Sequence, residues 1–515
     1  MTSTRSPWKD SVRVPSYAPL SKNTSADVCV IGAGIAGLTT AYLLAKSGKK
    51  VIVLESKEIG CGESGRTTAH LTAALDDRYS RLEKVHGRNG ARLAAESHTK
   101  AIDRIEEICA EEKIECAFRR VNGYLFLTPG DPSTTLEREA TACHRAGLKD
   151  VSFVERAPLP SFDTGRALLF PRQAEFHILA YLAGLARAIV ARGGTIHSET
   201  HVTNVEREKI LTIQTEAGHT VITQHVVIAT NAPIGDNVQV YGKQAPYRTF
   251  VLAFAIARGA IEHGLYWDTN EQHSAQPYHY IRFADHTDTE ELLIVGGEDH
   301  KTGQANDAEL RFHRLEEWTR KRFAQAGDIQ YRWSGQVMET MDGLAMIGQM
   351  PGTRGSIVIA TGDSGNGMTH GTIAGMLITD LLNGVENPWA KLYSPSRFRG
   401  RSLPTFLSEN TNVAKELLMG WVEPGVQDIG NDAGGIVHEG VKRIALYRDS
   451  QGTEHRMSAV CPHKGCIVQW NGLEKSWDCP CHGSRYDRFG TVLNGPSSAN
   501  LKPVENAKQA SGKER

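Results

Sequence analysis

Apolar positions near the start of the chain predict a strand, a helix and a second strand in close succession. The short apolar run at residues 28 to 31 is typical of a buried parallel strand, and residues 35 to 45 then have helical spacing. A second apolar run, residues 51 to 54, ends at Glu55. The pattern therefore predicts one β-α-β unit with a glycine-rich turn after its first strand.

Further strand and helix signals follow along the chain. Residues 91 to 117 have helical spacing, whereas "VNGYLFLT", "VVIATNAP" and "ELLIVGGEDH" have strand patterns. Residues 355 to 384 predict a strand, a glycine-rich turn and a helix. From about residue 420 the pattern changes to short strands with frequent turns. We therefore expect a mixed α/β (α+β) region, followed by an all-β domain.

Composition and charge narrow the class of protein. A chain of 515 residues is long enough for roughly two to four domains. Lys and Arg total 58 against 59 for Asp and Glu, so the sequence has no basic excess for nucleic acid. The N-terminus lacks an apolar signal segment, and no apolar stretch approaches the ~20 residues of a membrane span. We expect a cytoplasmic protein with neither nucleic acid nor a membrane span.

The turn after the first strand has the spacing of a dinucleotide-binding loop. Gly32 permits a tight turn, Gly34 lets the backbone approach a pyrophosphate, and Gly37 lets the helix pack closely on the strand. Glu55, at the end of the second strand, can accept hydrogen bonds from ribose hydroxyls. NAD and FAD both suit such a loop. Its place at the start of the fold, with a second glycine-rich element at residues 362 to 371, favours FAD.

Residues 25 to 400 resemble the D-amino-acid oxidase-like flavoproteins, which include glycine, sarcosine and glutamylputrescine oxidases. The resemblance is carried by "DVCVIGAGIAGLTTAYLLAKSGKKVIVLE", "GESGRTTAH", "DGLAMIG" and "GDSGNGMTHGTIAGMLITDLL". It implies a Rossmann-type FAD-binding domain with an interleaved substrate-binding β-sheet domain. The flavin-binding residues that it implies are Gly32, Gly34, Ile35, Ala36, Gly37, Glu55, Ser64, Gly65, Arg66, Val202, Ala229, Thr230, Asn231, Gly362, Gly365, Asn366, Gly367, Met368 and Thr369.

The resemblance also implies where some of these residues lie. Residues 64 to 66 would lie by the flavin ring, and Val202 would flank the adenine. Residues 365 to 369 would place a helix N-terminus near the pyrimidine end of the ring, where its dipole favours negative charge. Some relatives tether FAD to a histidine close behind the first β-α-β unit, so His70 is either such a tether or an ordinary packed histidine.

The run "CPHKGCIVQWNGLEKSWDCPCHGSRYD" concentrates soft metal ligands near the C-terminus. Cys461-x-His463 and Cys479-x-x-His482 supply the two thiolates and two imidazoles that a Rieske [2Fe–2S] cluster needs. A zinc site is also compact, but it does not call for both boxes and two further cysteines. A pure disulfide framework would leave the histidines unused. The pattern favours the iron–sulfur cluster.

Residues 425 to 505 resemble the Rieske domains of respiratory bc-type complexes. "CPHKGC", "CPCHGSRYD" and "FGTVLNGPSSANL" carry this resemblance. It implies a disulfide between Cys466 and Cys481, with the other two cysteines and the two histidines as ligands. It also implies that Ser484 and Tyr486 donate hydrogen bonds to a bridging sulfide and to a cysteine sulfur, which raises the reduction potential.

These patterns predict the following division of the chain. Residues 1 to 25 form an extended lead-in and residues 26 to 405 form the discontinuous flavin-dependent domain. Residues 406 to 422 link it to the Rieske domain, at residues 423 to 508, and residues 509 to 515 form a tail.

A flavin takes up two electrons as a hydride, whereas a Rieske cluster takes one, so their fusion predicts a chain of electron transfer. We expect a dehydrogenase that oxidises a C–N bond in an amino acid or other small amine and passes electrons from FAD through the cluster to an external carrier. The alternatives are an oxygen-using oxidase, a reductase whose external donor feeds the cluster, and a non-catalytic redox sensor or interaction module. The catalytic candidates are His279, Tyr280, Arg282, His300 and Lys301, and the expected pocket residues are Trp333, Gln336 and Asp342.

Overall fold

The computed structural model describes residues 4–207, 210–234, 238–269 and 278–505. The helices, in chain order, are α1 Trp8–Ser11, α2 Ile35–Lys46, α3 Tyr79–Glu111, α4 Thr134–Arg145, α5 Ile178–Ala191, α6 Val238–Tyr241, α7 Ala308–Arg322, α8 Gly367–Leu382, α9 Ala390–Tyr393 and α10 Leu403–Val422. Two short 3₁₀ helices span Glu63–Arg66 and Gly400–Ser402.

The strands of the flavin-dependent domain are β1 Thr24–Ile31, β2 Val51–Leu54, β3 His70–Leu71, β4 Arg119–Phe126, β5 Ser152–Val154, β6 Ala167–Glu175, β7 Thr195–His197, β8 Val202–Arg207, β9 Leu211–Thr215, β10 Thr220–Ile228, β11 Gln244–Ala257, β12 Gly264–Asp268, β13 His279–Asp285, β14 Glu290–Lys301, β15 Ile329–Thr340, β16 Met346–Gln349 and β17 Ile357–Thr361. The strands that follow are β18 Ala433–Glu439, β19 Lys442–Arg448, β20 Glu454–Ser458, β21 Gln469–Asn471, β22 Ser476–Asp478, β23 Arg485–Asp487 and β24 Val492–Asn494.

The first sheet is the dinucleotide-binding layer. Its strand order is β16-β17-β10-β1-β2-β7, and β1 pairs in parallel with both β2 and β10. The central strands have buried apolar residues on both faces, as is typical of parallel strands. Helices α2 and α8 cover one face, and β8 and β9 extend the sheet. The turns after β1 and β17 therefore open at the same edge of the sheet, where ligands of such folds bind.

The second sheet corresponds to the interleaved sheet that the sequence resemblance assigns to substrate binding. Its strand order is β15-β11-β14-β13-β12-β4-β6-β3, and β5 pairs with β6. The long strands β11, β14 and β15 pair antiparallel, and α7 covers their outer face by packing Phe312 and Leu315 against Phe250 and Phe254. The mixed α/β fold with an interleaved sheet, expected from the sequence, is confirmed.

Helix α3 differs from its expected range. The sequence predicts a helix over residues 91 to 117, but the helix begins earlier and ends earlier, at Tyr79–Glu111. It bends at Gly87, whose φ is +75°. Beyond it the chain turns back, because Lys113 adopts a left-handed φ of 51° and the Ile114 amide donates to the Cys109 carbonyl. Apolar residues in this turn face the core, which imitates the pattern of another helical turn.

The C-terminal region is built from two small antiparallel sheets, β18-β19-β20 and β21-β22-β23-β24. Their shared core includes Trp477, Tyr486 and the two cysteines expected as cluster ligands, Cys461 and Cys479. The expected linker, residues 406 to 422, lies within the continuous helix α10, whose Gly420 packs closely on Ile467. Residues 506 to 515, which include the expected tail, lie outside the described residues. Among the helices of the described residues, none has both the length and the apolarity to cross a bilayer.

Candidate functional site

A cavity of about 1860 Å³ lies between the two sheets of the flavin-dependent domain and reaches the C-terminal domain. It exceeds the usual range of ligand pockets, roughly 300–1,000 Å³, so it has room for a dinucleotide and a substrate. The expected flavin-binding residues that line it are Gly32, Gly34, Ile35, Ala36, Glu55, Ser64, Arg66, Val202, Ala229, Thr230, Asn231, Gly365, Asn366, Gly367 and Met368.

The turn after β1 is shaped by backbone contacts that only glycine tolerates. Gly32 has a φ of +103°, and a Cβ there would lie 2.6 Å from the Ala229 carbonyl oxygen. A Cβ on Gly37 would lie 1.9 Å from the Gly32 oxygen, so Gly37 packs α2 against the turn and does not line the cavity. The Ile35 amide, at the start of α2, donates to Ser64 Oγ over 3.0 Å. The other amides at the N-terminus of α2 and the hydroxyl of Ser64 can therefore donate to phosphate oxygens.

Glu55 lies at the carboxyl end of β2 and is held by backbone donors. Its Oε2 accepts from the Ala33 amide over 2.8 Å, and its Oε1 accepts from the Lys57 amide over 3.0 Å. The carboxylate is 9% exposed and borders the cavity. Oε1 also accepts from the Ser56 hydroxyl over 3.1 Å, whereas Oε2 can accept a second hydrogen bond, so Glu55 fits the ribose of a dinucleotide.

The second glycine-rich turn joins β17 to α8. Gly365 has a φ of +78°, and a Cβ there would lie 2.0 Å from Asp76 Oδ2. Helix α8 begins at Gly367, beside the cavity, so its amide end can stabilise negative charge on a bound flavin. The donor set, the glycine contacts and the size of the cavity together fit FAD.

Three other members of the expected flavin set lie behind the cavity wall. Gly65 packs against the Gly60 carbonyl, and a Cβ on Gly362 would lie 2.4 Å from Thr340 Cγ2. Thr369 is buried, and its Oγ1 lies 2.7 Å from His98 Nδ1. These residues shape the turns and do not face the cavity.

His70 lies on β3 and lines the cavity, but its ring is held by the protein. Its Nδ1 lies 3.0 Å from Thr68 Oγ1, and its Nε2 lies 3.3 Å from the Ile281 carbonyl oxygen. Burial, reinforced by the nearby Arg282, lowers its pKa to about 3. The geometry is that of a neutral, packed histidine.

The structure separates Tyr280 from the other four catalytic candidates. Tyr280 lines the cavity, where its hydroxyl lies 2.6 Å from Thr249 Oγ1. His279 faces away: its ring stacks on Trp318 at 4.0 Å, and its Nδ1 lies 2.9 Å from Asp268. Alternate residues of β13 point to opposite faces, which explains the different environments of these two neighbours.

Arg282, His300 and Lys301 also have structural surroundings away from the cavity. The Arg282 guanidinium donates to backbone carbonyls that include Ala69 and Phe176. The His300 ring stacks on Phe250, and burial lowers the pKa of His300 to about 4. Lys301 pairs with Glu409 of α10 over 2.7 Å. A substrate carboxylate therefore does not meet Arg282 or Lys301 here.

Of the three expected pocket residues, Gln336 alone lines the cavity. Trp333 lies one layer behind and donates from Nε1 to the Arg66 carbonyl over 2.7 Å. Asp342 forms a buried, two-point ion pair with Arg397, which lowers the pKa of Asp342 to about 2 against the effect of burial.

Four carboxyl groups line the cavity near the second glycine turn: Asp76, Asp299, Glu339 and Asp363. The surrounding protein desolvates them, which raises the pKa of Asp299 and Asp363 to about 7 and that of Glu339 to about 8. Asp76 accepts a hydrogen bond from the Tyr278 hydroxyl over 3.1 Å. They come from separate parts of the chain, so no local motif predicts their assembly.

Arg78 and Arg81, two of the arginines that line the cavity, are already engaged with other groups. Arg81 forms an ion pair with Asp77. Arg78 donates to the carbonyls of Leu75 and Asp268, over 3.5 and 3.2 Å. The carboxyl groups thus have greater freedom to meet a ligand than these two cations have.

The C-terminal domain brings together the four expected cluster ligands. Cys461 and Cys479 are buried and their sulfurs interact directly. The rings of His463 and His482 lie 4.9 Å apart, and Tyr241 of the flavin-dependent domain packs against both, at 4.7 and 5.9 Å. Among the described residues, His482 Nδ1 is buried without a hydrogen-bond partner, as fits a ring nitrogen meant for a metal.

The remaining two cysteines of this region form the expected disulfide, Cys466–Cys481. Their sulfurs also lie within 4.8 Å of that of Cys479, but disulfide sulfurs are not thiolate ligands. The donor set is therefore two thiolates and two imidazoles, which fits a [2Fe–2S] cluster with one iron held by each pair.

Both expected hydroxyl donors lie beside this donor set. Tyr486, whose side chain is fully buried, places its hydroxyl 3.2 Å from Cys461 Sγ. Ser484 is buried as well, and its oxygen accepts from the Ser497 amide over 3.0 Å, which leaves its own proton to donate. Ser497 in turn lines the flavin cavity, together with Val492, Leu493, Asn494 and Gly495. The cavity and the cluster site therefore share a wall.

Residues 27–381 match the family model described as FAD dependent oxidoreductase, and residues 426–505 match the model described as Rieske [2Fe-2S] domain. The chain is 33% identical over 505 residues to the "Putative Rieske 2Fe-2S iron-sulfur protein YhfW" of Bacillus subtilis, covering 97% of each chain. It is 29% identical to the gamma-glutamylputrescine oxidoreductase of Escherichia coli, covering 72% of this chain and 87% of that protein.

Among solved structures, the glycine oxidase of Geobacillus kaustophilus superposes with a TM-score of 0.60 at 21% identity. The match covers 73% of this chain and all of the oxidase. Similarity at this level shows a shared fold for the flavin-dependent part.

Proposed function

Because this chain belongs to the FAD dependent oxidoreductase family and ends in a Rieske [2Fe-2S] domain, we propose that it oxidises a C–N bond of a small amine or amino acid. Electrons pass from FAD to the cluster and then to an external one-electron carrier. The observation that carries this proposal is the shared wall: Ser497 borders the flavin cavity and is hydrogen-bonded to Ser484, beside the cluster ligand Cys461.

FAD supplies hydride acceptance in this scheme, and the cluster supplies one-electron transfer. The residues of the chain hold and orient the substrate. Tyr280 and Thr249, hydrogen-bonded to each other, present a polar surface on the substrate-binding sheet. Asp299 has a pKa of about 7, so near neutral pH its ionised form can take the proton that an ammonium group must lose before oxidation. Glu339 has a pKa of about 8 and is mostly protonated at that pH, until a cationic ligand nearby favours its ionised form.

The carboxyl groups near the second glycine turn favour an amine over an α-amino acid. The carboxyl groups of Asp76, Asp299 and Glu339 attract a cationic ligand, whereas Arg282 and Lys301 are bound elsewhere. The similarity to a gamma-glutamylputrescine oxidoreductase agrees with an amine substrate. We therefore expect amines that carry a positive charge remote from the reacting nitrogen to be preferred.

An anaerobic screen of amines and amino acids tests the proposal. A substrate should bleach the flavin absorbance, and E339Q should raise its KM, whereas E317Q, which alters an exposed ion pair on α7, should not. Failure of every amine and amino acid to bleach the flavin would contradict C–N oxidation.

Two further assays separate the alternatives. Stoichiometric peroxide under air, with an unreduced cluster, would identify an oxygen-using oxidase. A reduced one-electron carrier that rapidly reduces the flavin through the cluster would identify a reductase.

A further inference from the structure

We propose that Glu474 is a positioning residue that locks the Rieske domain onto the flavin-dependent domain. Glu474 lies in the turn between β21 and β22, five residues before the expected cluster ligand Cys479, and its side chain is 4% exposed. In this view the cluster keeps one fixed position beside the flavin cavity throughout turnover. The inference adds a fixed geometry to the electron transfer in the proposed function.

The carboxylate of Glu474 joins both domains. Its Oε1 accepts from Arg248 Nη2 of β11 over 2.6 Å, and Arg66 of the flavin-dependent domain approaches the same oxygen to 3.4 Å. Its Oε2 pairs with Arg485 of its own domain. Ser334 of β15 also donates its hydroxyl to Oε1. One buried anion thus contacts three guanidinium groups from three segments of the chain.

Because this contact is buried, the loss of one charge would leave the others poorly stabilised. The side chains of Arg248 and Arg485 are each 1% exposed, so neither has solvent to stabilise its charge. If Glu474 were neutralised, Arg485 would keep its ion pair with Asp478 over 2.9 Å, whereas Arg248 would lose the carboxylate it contacts. The three arginines hold the pKa of Glu474 well below its usual range, despite the opposing effect of burial. A neutral residue here would leave like charges close together in a dry interface.

The same interface reaches the cavity. Arg66, which borders the cavity, donates to the Ser334 carbonyl over 3.1 Å as well as approaching Glu474. Close by, Asn494 of β24 donates to Glu63 over 2.8 Å, and Gln336 donates to the Gly483 carbonyl over 3.1 Å. Release of the Rieske domain would therefore remove part of the cavity wall and move the cluster away.

E474Q tests the inference, with E439Q as the matched control. Glu439 pairs with Arg456 inside the Rieske domain, so E439Q perturbs an ion pair within that domain. In anaerobic samples that carry both cofactors, light-driven reduction of the flavin replaces the substrate. A failure in this assay is therefore distinct from a failure of the proposed amine oxidation. The rate of flavin-to-cluster transfer and amide hydrogen exchange at residues 63–66 and 492–497 are measured together.

We expect E474Q to slow the transfer by about tenfold or more, since breaking a buried ion pair shifts an equilibrium by at least that factor. Exchange should rise in both segments, while the EPR g-values of the cluster stay unchanged. E474D should restore part of the rate, and E439Q should behave as the wild type. Wild-type transfer and exchange in E474Q would overturn the proposal.

N494A gives an independent test if E474Q fails to assemble its cluster. It removes the hydrogen bond from the Asn494 amide to the Glu63 carboxylate and leaves the ion pairs of Glu474 in place. We expect amide hydrogen exchange at residues 63–66 to rise less than in E474Q, and flavin-to-cluster electron transfer to be slower than in the wild type. Unchanged values for both would equally overturn the fixed-domain proposal.

Discussion

Tyr486→Phe is the substitution that isolates one hydrogen bond at the cluster site. The ring of Tyr486 is fully buried, and its hydroxyl lies 3.2 Å from Cys461 Sγ, so phenylalanine keeps the packing and removes the donor. Tyr447→Phe is the matched control. Tyr447 is also a buried tyrosine of the Rieske domain, but its hydroxyl donates to Asp432, away from the cluster ligands.

The size of the effect follows from the charge on the sulfur. A donor to a charged acceptor is worth about 1.5–3 kcal/mol. If all of this favoured the reduced, more negative cluster, the potential would fall by about 65–130 mV, at ~59 mV for each tenfold change in a one-electron equilibrium. The observed fall should be smaller, because the oxidised cluster also accepts the bond.

An EPR-monitored redox titration measures the effect. We expect Y486F to lower the cluster potential by several tens of millivolts and to slow electron transfer from flavin to cluster. Flavin reduction by substrate should not change, and Y447F should titrate as the wild type. An unchanged or raised potential in Y486F would refute the role of this hydroxyl.

Three further predictions follow from buried contacts. G34V should abolish FAD retention after gel filtration, because a Cβ alone would lie 2.9 Å from Ser64 Oγ and a larger side chain enters the phosphate region; wild-type flavin content would contradict the placement of the loop. D342N should lower the free energy of unfolding by about 3–5 kcal/mol in urea, since it leaves Arg397 buried without its anion. With the Asp342 pKa lowered from 3.8 to about 2, its contribution is present above pH 3.8 and is lost as the pH falls towards 2. The pKa of Glu339 is raised from 4.5 to about 8, so the apoprotein should lose stability as the pH rises through this window, and E339Q should flatten that part of a Tm-against-pH profile. An unchanged slope in E339Q would contradict this assignment.

Local patterns were sufficient to predict the cofactor-binding turns. Gly32, Gly34 and Gly37 act within a few residues of one another, and their spacing encodes the turn and the helix start directly. The cluster ligands are likewise grouped in two short boxes, and the disulfide joins cysteines of the same boxes. Such features depend on short segments, so the sequence shows them before the fold is known.

Features that depend on distant contacts were not predictable in this way. Arg282 lies in the middle of β13 and Lys301 at the end of β14, but the face that each presents depends on strand register and on neighbours such as Glu409 of α10. The partnership of Glu474 with Arg248 joins positions 226 residues apart. No periodicity or motif reports such a pair, because it exists only once two domains have folded against each other.

The most direct test of the central claim is freeze-quench EPR during anaerobic reduction by an amine substrate. The account predicts that the flavin bleaches first, and that the signal of a reduced Rieske cluster then rises towards one spin per chain without any added carrier. A flavin that is fully reduced by substrate while the cluster remains oxidised would contradict electron transfer from FAD to the cluster within this chain.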